Sequence, residues 1–142
     1  MDVSLFLCDF AQVSEGKLTA VGIGWERRPA GNLPFGLGLV MKTGWEETNR
    51  KHQVGLRLMD ADGQPVADGN GNGLEASMEM EVGRPPGAVP GTSFTSCQAL
   101  NISWPLGPGR YQWLVLVDGQ EVPGGSVTFD VFAAPPSSMK AA

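Results

Sequence analysis

The sequence predicts an all-β protein, an antiparallel β-sandwich of eight or nine short strands, and three observations carry that reading. Apolar residues recur with a period of two along most of the chain, the spacing of a strand with one face inward. The chain holds 20 Gly and 11 Pro, too many for packed helices and suited to short strands joined by tight turns. Helical spacing is confined to a turn or two around Trp45 to Lys51. At 142 residues the chain is one domain's worth, able to bury roughly two-thirds of the surface its unfolded form exposes. Immunoglobulin-like and jelly-roll-like connections both satisfy this pattern.

The elements follow in order. Val3 to Phe10 and Lys17 to Ile23 read as two strands joined across Ser14-Glu-Gly16. The segment from Glu26 to Pro34 reads as irregular. Phe35, Leu37, Leu39 and Met41 then share one strand face, with Gly36 and Gly38 on the other, where a neighbour comes close. Val54, Leu56 and Leu58 form the next inward face, and His52 lies in phase with them. Asp60-Ala-Asp-Gly63 is a turn, from which the chain returns through Pro65 and Val66. Leu74, Ala76, Met78, Met80 and Val82 alternate with Glu75, Ser77, Glu79 and Glu81, a half-buried strand with an acidic outer face. Gly83 to Thr92 is irregular. Leu100, Ile102 and Trp104 form a strand that Pro105 is expected to end. Tyr111 to Val117 is apolar on both faces, as an interior strand or one covered by a partner is. Asp118-Gly119 is a primed two-residue hairpin turn, and Val127, Phe129 and Val131 close the fold. The domain is expected to span 1–132, and residues 133–142, with Pro135-Pro136-Ser-Ser, to be a disordered tail.

Leu7 to Ala11, Glu15 to Leu18, Gly22-Ile-Gly-Trp25, Asn49 to Val54, Asp60 to Gly63, Gly107 to Tyr111 and Val117-Asp-Gly119 together resemble an uncharacterised family of small bacterial proteins, a domain of unknown function. The resemblance spans most of the chain and implies a sandwich fold. It brings no catalytic residues.

Composition removes several functions. The formal net charge of −5 argues against nucleic acid, which needs a basic face. No segment reaches the length of a membrane span. Asp2 and Asp9 spoil the basic, then apolar, pattern of a secretory leader, so a cytoplasmic protein is expected. Cys8 and Cys97, the two cysteines, lie in strand-like apolar contexts and read as small core residues. His52 is the sole histidine, which excludes two-histidine metal sites. With no nucleophile-elbow motif beside it, His52 reads as structural. Glu46-Glu47 reads as a solvated corner, and no cofactor is called for.

Two sets of residues are left as candidates. Asp68-Gly-Asn-Gly-Asn-Gly73 followed by Glu79 matches a calcium-loop spacing, with Asp68, Asn70, Asn72 and Glu79 as side-chain ligands. Glu75 at the usual apolar position and the absence of flanking helices speak for a Gly/Asn turn instead. Trp25 and Trp45, at strand ends beside polar loops, are the candidates for exposed aromatics and, with Tyr111, could stack on a ligand; the competing and favoured reading is that the two indoles cover the open ends of the sandwich. Trp104 and Trp113 are expected in the core. The expectation for function is therefore a non-catalytic module that works through protein–protein contact or self-association at a sheet edge. The alternative is a small-molecule or carbohydrate-binding module built on Trp25, Trp45 and Tyr111.

Overall fold

A computed structural model describes residues 1–67, 70, 71 and 73–134. Among these residues ten strands follow one another: β1 (Asp2–Cys8), β2 (Phe10–Ser14), β3 (Lys17–Val21), β4 (Arg27–Pro29), β5 (Gly31–Thr43), β6 (Lys51–Asp60), β7 (Glu75–Glu81), β8 (Phe94–Leu106), β9 (Gly109–Val117) and β10 (Gln120–Phe132). A single 3₁₀ turn, Trp45–Glu47, stands where helical spacing was read. The strands form three sheets, ordered β1-β5-β8, β4-β10-β9-β6-β7, and the hairpin β2-β3.

The count is ten rather than eight or nine because two expectations fail. The first expected strand breaks at Asp9: β1 pairs with β5, while β2 turns away to pair with β3. The segment expected to be irregular, 26–34, holds β4 and the start of β5. The arrangement is also not purely antiparallel, since β4 runs parallel to β10, with Arg27 opposite Asp130. Residues 133 and 134 carry no regular structure, and the rest of the expected tail, 135–142, lies outside the described residues.

Two prolines sit inside long strands, which corrects the expectation that Pro105 ends one. Pro105 stands opposite Asn32, and Pro34 opposite Ser103. A proline cannot donate to the ladder, so it is tolerated where its nitrogen faces away from the partner strand. β8 is the edge of its sheet, and β1 pairs with β5 only from Gly36 onward. Both nitrogens thus point where no strand needs them.

Side chains from the two larger sheets meet in one core. Phe35 of β5, Trp113 of β9 and Phe129 of β10 are each 1% exposed. Phe35 meets the other two edge-on, with ring centroids 5.6 and 5.3 Å away. Each such side chain contributes roughly 1.5–3 kcal/mol by leaving water. The Phe35-Leu37-Leu39-Met41 face is buried throughout, and β9 is interior, between β10 and β6. The open face at Gly36 and Gly38 receives the hairpin. A Cβ on Gly36 would lie 2.8 Å from the Cys8 carbonyl and the Phe10 nitrogen, and one on Gly38 would lie 2.9 Å from Leu18. Among the described residues no helix is long and apolar enough to cross a membrane.

Candidate functional site

The three-stranded and five-stranded sheets share one core. On one side β1 packs beside β10 so closely that a Cβ on Gly124 would strike the Val3 carbonyl. On the other side β8 and β7 border an opening. Ala76 on β7 belongs to the core-facing side, being opposite Leu56, which is 7% exposed; yet Ala76 itself is exposed. An apolar groove of about 170 Å³ opens there, lined chiefly by Leu39, Val54, Leu56, Ala76, Met78 and Leu100.

β8 borders this groove with a free edge. Among the described residues it pairs with β5 alone. The alternation of an antiparallel ladder tells which groups are free. Neither the Pro34–Ser103 nor the Asn32–Pro105 pair can exchange both ladder hydrogen bonds, and the register runs unbroken from Gly31↔Leu106 to Thr43↔Phe94. The odd-numbered residues of β8, Cys97 and Ala99 among them, therefore direct their N–H and C=O groups away from β5. Edge strands are commonly guarded by charge. β8 has none, and the uncharged run extends from Pro85 to Gly109. That run is a signal in the sequence; the edge position of the strand is not.

The aromatic candidates are placed separately and are half-buried rather than exposed. Trp25 donates its indole N–H to the Cys8 carbonyl at 3.0 Å, meets Phe129 edge-on and carries the Arg28 guanidinium 4.5 Å from its ring. Arg28 in turn pairs with Asp9. Trp45 lies between Phe94 and Arg84, whose guanidinium is 3.8 Å from the ring centroid. Tyr111 stacks on Phe129 and donates to the Gly107 carbonyl at 2.8 Å. Burial, and next the Asp60 charge, push its hydroxyl pKa up. Apolar rings at strand ends cover the core's open margins, which is why these faces are occupied. Trp113 is buried, and Trp104 packs against the core from a half-buried position.

Of the calcium-loop candidates, Asp68 and Asn72 lie outside the described residues. Asn70 lies in the loop closed by the Ala67–Gly73 bridge. Glu79, on β7, accepts a hydrogen bond from the Gln53 amide at 3.2 Å and pairs with Lys51. Among the described residues no three of His, Cys, Asp and Glu gather as a metal site. The two cysteines are unbridged and stand apart: Cys8 is opposite Gly36, whereas Cys97 is opposite Val40 on the far side of the same central strand. Burial raises the Cys8 thiol pKa, the opposite of what a nucleophile needs.

His52 is 6% exposed and has both ring nitrogens engaged. Nδ1 lies 2.8 Å from Asp118 Oδ2 and Nε2 lies 2.8 Å from the Glu47 carbonyl. Asp118 occupies the left-handed region with φ 51°, followed by Gly119 at 81°, as a primed hairpin turn requires. Its other oxygen accepts from the Gln53 N–H at 2.9 Å. The Asp118 bond, and next the Glu47 carbonyl, raise the His52 pKa against the opposing effect of burial. Asp118 is lowered by the same bond and by the Gln53 N–H. Sequence reading placed His52 on the inward face of its strand; Asp118, read only as a turn residue, is the partner it missed.

A family model matches the chain over residues 3–131, and its description is a family of unknown function (DUF6941). None of the curated proteins matches it.

Proposed function

We propose that this chain, which belongs to the DUF6941 family, is a non-catalytic binding module that takes an extended segment of a partner protein as an added strand along β8. The single observation that carries the reading is the juxtaposition of the uncharged free edge of β8 with the apolar groove between β8 and β7. Strand addition takes affinity from main-chain hydrogen bonds and specificity from pockets for alternate side chains. Both requirements have counterparts here: outward N–H and C=O groups at Cys97 and Ala99, and the hollow over Val54, Leu56 and Ala76.

The groove between β8 and β7, about 170 Å³, favours a bare segment over the edge of another folded sheet, because it has room for a few side chains and not for a second sheet. Self-pairing through β7 is disfavoured by Glu75, Glu79 and Glu81, since an antiparallel copy would set like charges opposite one another. The two larger sheets around one core are read as a β-sandwich, immunoglobulin-like or jelly-roll-like in its connections. Two separated thiols suit a reducing compartment such as the cytoplasm.

The test compares the tagged chain with its Ala99→Pro variant, both purified from the native host with bound proteins identified and quantified. Proline there removes an outward N–H and leaves the ladder to β5 intact. The expected result is a stoichiometric partner lost from the variant at unchanged thermal stability. A partner retained equally by both chains overturns the reading. The alternative, ligand stacking on Trp25, Trp45 or Tyr111, has less support, because Arg28 and Arg84 already occupy a face of the two indoles.

A further inference from the structure

We propose that His52 is a proton-operated clasp that holds the 3₁₀ turn at Trp45–Glu47 against the β9–β10 turn. The geometry demands two donors from one ring. The Glu47 carbonyl can only accept, and so can the Asp118 carboxylate, which the Gln53 N–H holds from its other oxygen. A neutral imidazole has one N–H and one lone pair. It satisfies one partner and turns electron density against the other. The imidazolium satisfies both.

The charged and titratable groups around the ring agree with that state. Asp118 faces it from the β9–β10 turn. Glu47 lies on the 3₁₀ turn, with its carboxylate accepting from the Met1 amino group at 2.9 Å and the Gly44 N–H at 3.0 Å. Arg50, just ahead of β6, donates to the Glu46 carbonyl and opposes the positive ring modestly. From β7 the residue opposite is Met80, which carries no charge. The raised His52 pKa follows from the same two acceptors.

Which contact yields on deprotonation also follows. The bond from Nδ1–H to a carboxylate is charge-assisted and the stronger of the two. The proton is released to solvent from Nε2, whose lone pair then faces the Glu47 carbonyl oxygen. The 3₁₀ turn loses its hold, while the β9–β10 turn keeps its own. The 3₁₀ turn carries Trp45, and Arg84 grips it by donating to the Trp45 carbonyl and to Thr48 Oγ1, both at 2.7 Å. Proton loss at His52 is thus read out at Trp45 and Thr48, and the aromatic–arginine stack loosens as the pH rises.

The test is a pH titration of the full chain by nuclear magnetic resonance, following the ring nitrogens of its only histidine with the Trp45 indole and the Thr48 amide. The expected result is a doubly protonated ring that titrates above the ordinary histidine value of about 6.5, with Trp45 and Thr48 shifting at the same midpoint. Asp118→Asn is expected to lower that midpoint, and His52→Gln to leave Trp45 and Thr48 flat across the range. A ring that loses its proton at or below the ordinary value overturns the proposal, as do Trp45 and Thr48 signals that stay still through the His52 midpoint. If His52→Gln fails to fold, the wild-type titration decides alone.

Discussion

Asn101 holds Ala11 by both of its main-chain groups: Oδ1 accepts from the Ala11 N–H at 3.0 Å, and Nδ2 donates to the Ala11 carbonyl at 2.8 Å. One side chain on β8 thereby does for the β2–β3 hairpin what a neighbouring strand would do. Ala11 is 2% exposed, so water is a poor substitute. Asn101→Ala is expected to cost about 1–3 kcal/mol and to speed amide exchange across β2 and β3 more than in β5 or β9. A loss below about 0.5 kcal/mol, the range of an ordinary surface change, would remove this role.

Gly36 and Gly38 face the same hairpin with different neighbours. A methyl on Gly36 meets fixed backbone, at Cys8 and Phe10, while one on Gly38 meets the end of a flexible Leu18 side chain. Gly36→Ala is expected to destabilise by several kcal/mol, on the order of a severe overpacking, and Gly38→Ala by about 1 kcal/mol. Urea unfolding of the two variants checks the order. Equal losses would mean that the hairpin does not sit on Gly36.

Thr43 is fully buried, and its hydroxyl has no hydrogen-bond partner among the described residues. An unpaired buried hydroxyl is destabilising relative to a methyl of the same shape. Thr43→Val is expected to raise stability by up to about 1 kcal/mol. A thermal scan showing a clear loss would place a partner on Thr43 Oγ1.

The pH dependence of stability has two opposed limbs at one end of the molecule. Glu47 is held below the ordinary carboxylate value, first by the hydrogen bond from the Met1 amino group. Its contribution is present above the unfolded value, about 4.3, and is lost as the pH falls through the lower folded one. His52 runs the other way. Its folded pKa is raised, so its contribution is complete below about 6.5 and is lost as the pH rises through the folded value. Stability is expected to be greatest between these limits, and His52→Gln to abolish the decline on the alkaline side. A decline that survives in the variant would place its source elsewhere.

The alternation of apolar residues made much of the fold legible, because a period of two states which side chains share a face. The buried row from Phe35 to Met41, the interior place of Tyr111 to Val117 and the primed turn at Asp118-Gly119 could all be read that way. What alternation cannot state is which strands are neighbours. The break at Asp9, which separates β1 from β2, depends on two different pairing partners, β5 for β1 and β3 for β2. Pro105 misled for a related reason: a proline ends an interior strand but is harmless where its nitrogen faces outward, and only pairing reveals that. Trp25 and Trp45 looked exposed because polar residues flank them, yet Arg28 and Arg84 fold back over the rings. The groove depends on which strands of two different sheets come to border one another, which no local pattern contains.

Amide hydrogen exchange at Cys97 and Ala99 tests the central claim most directly, measured in the free chain and in the complex recovered from the native host. A free β8 edge that receives an added strand predicts rapid exchange at both amides in the free chain and marked slowing in the complex. Slow exchange in the free chain, or rates that the bound partner leaves unchanged, would contradict the account.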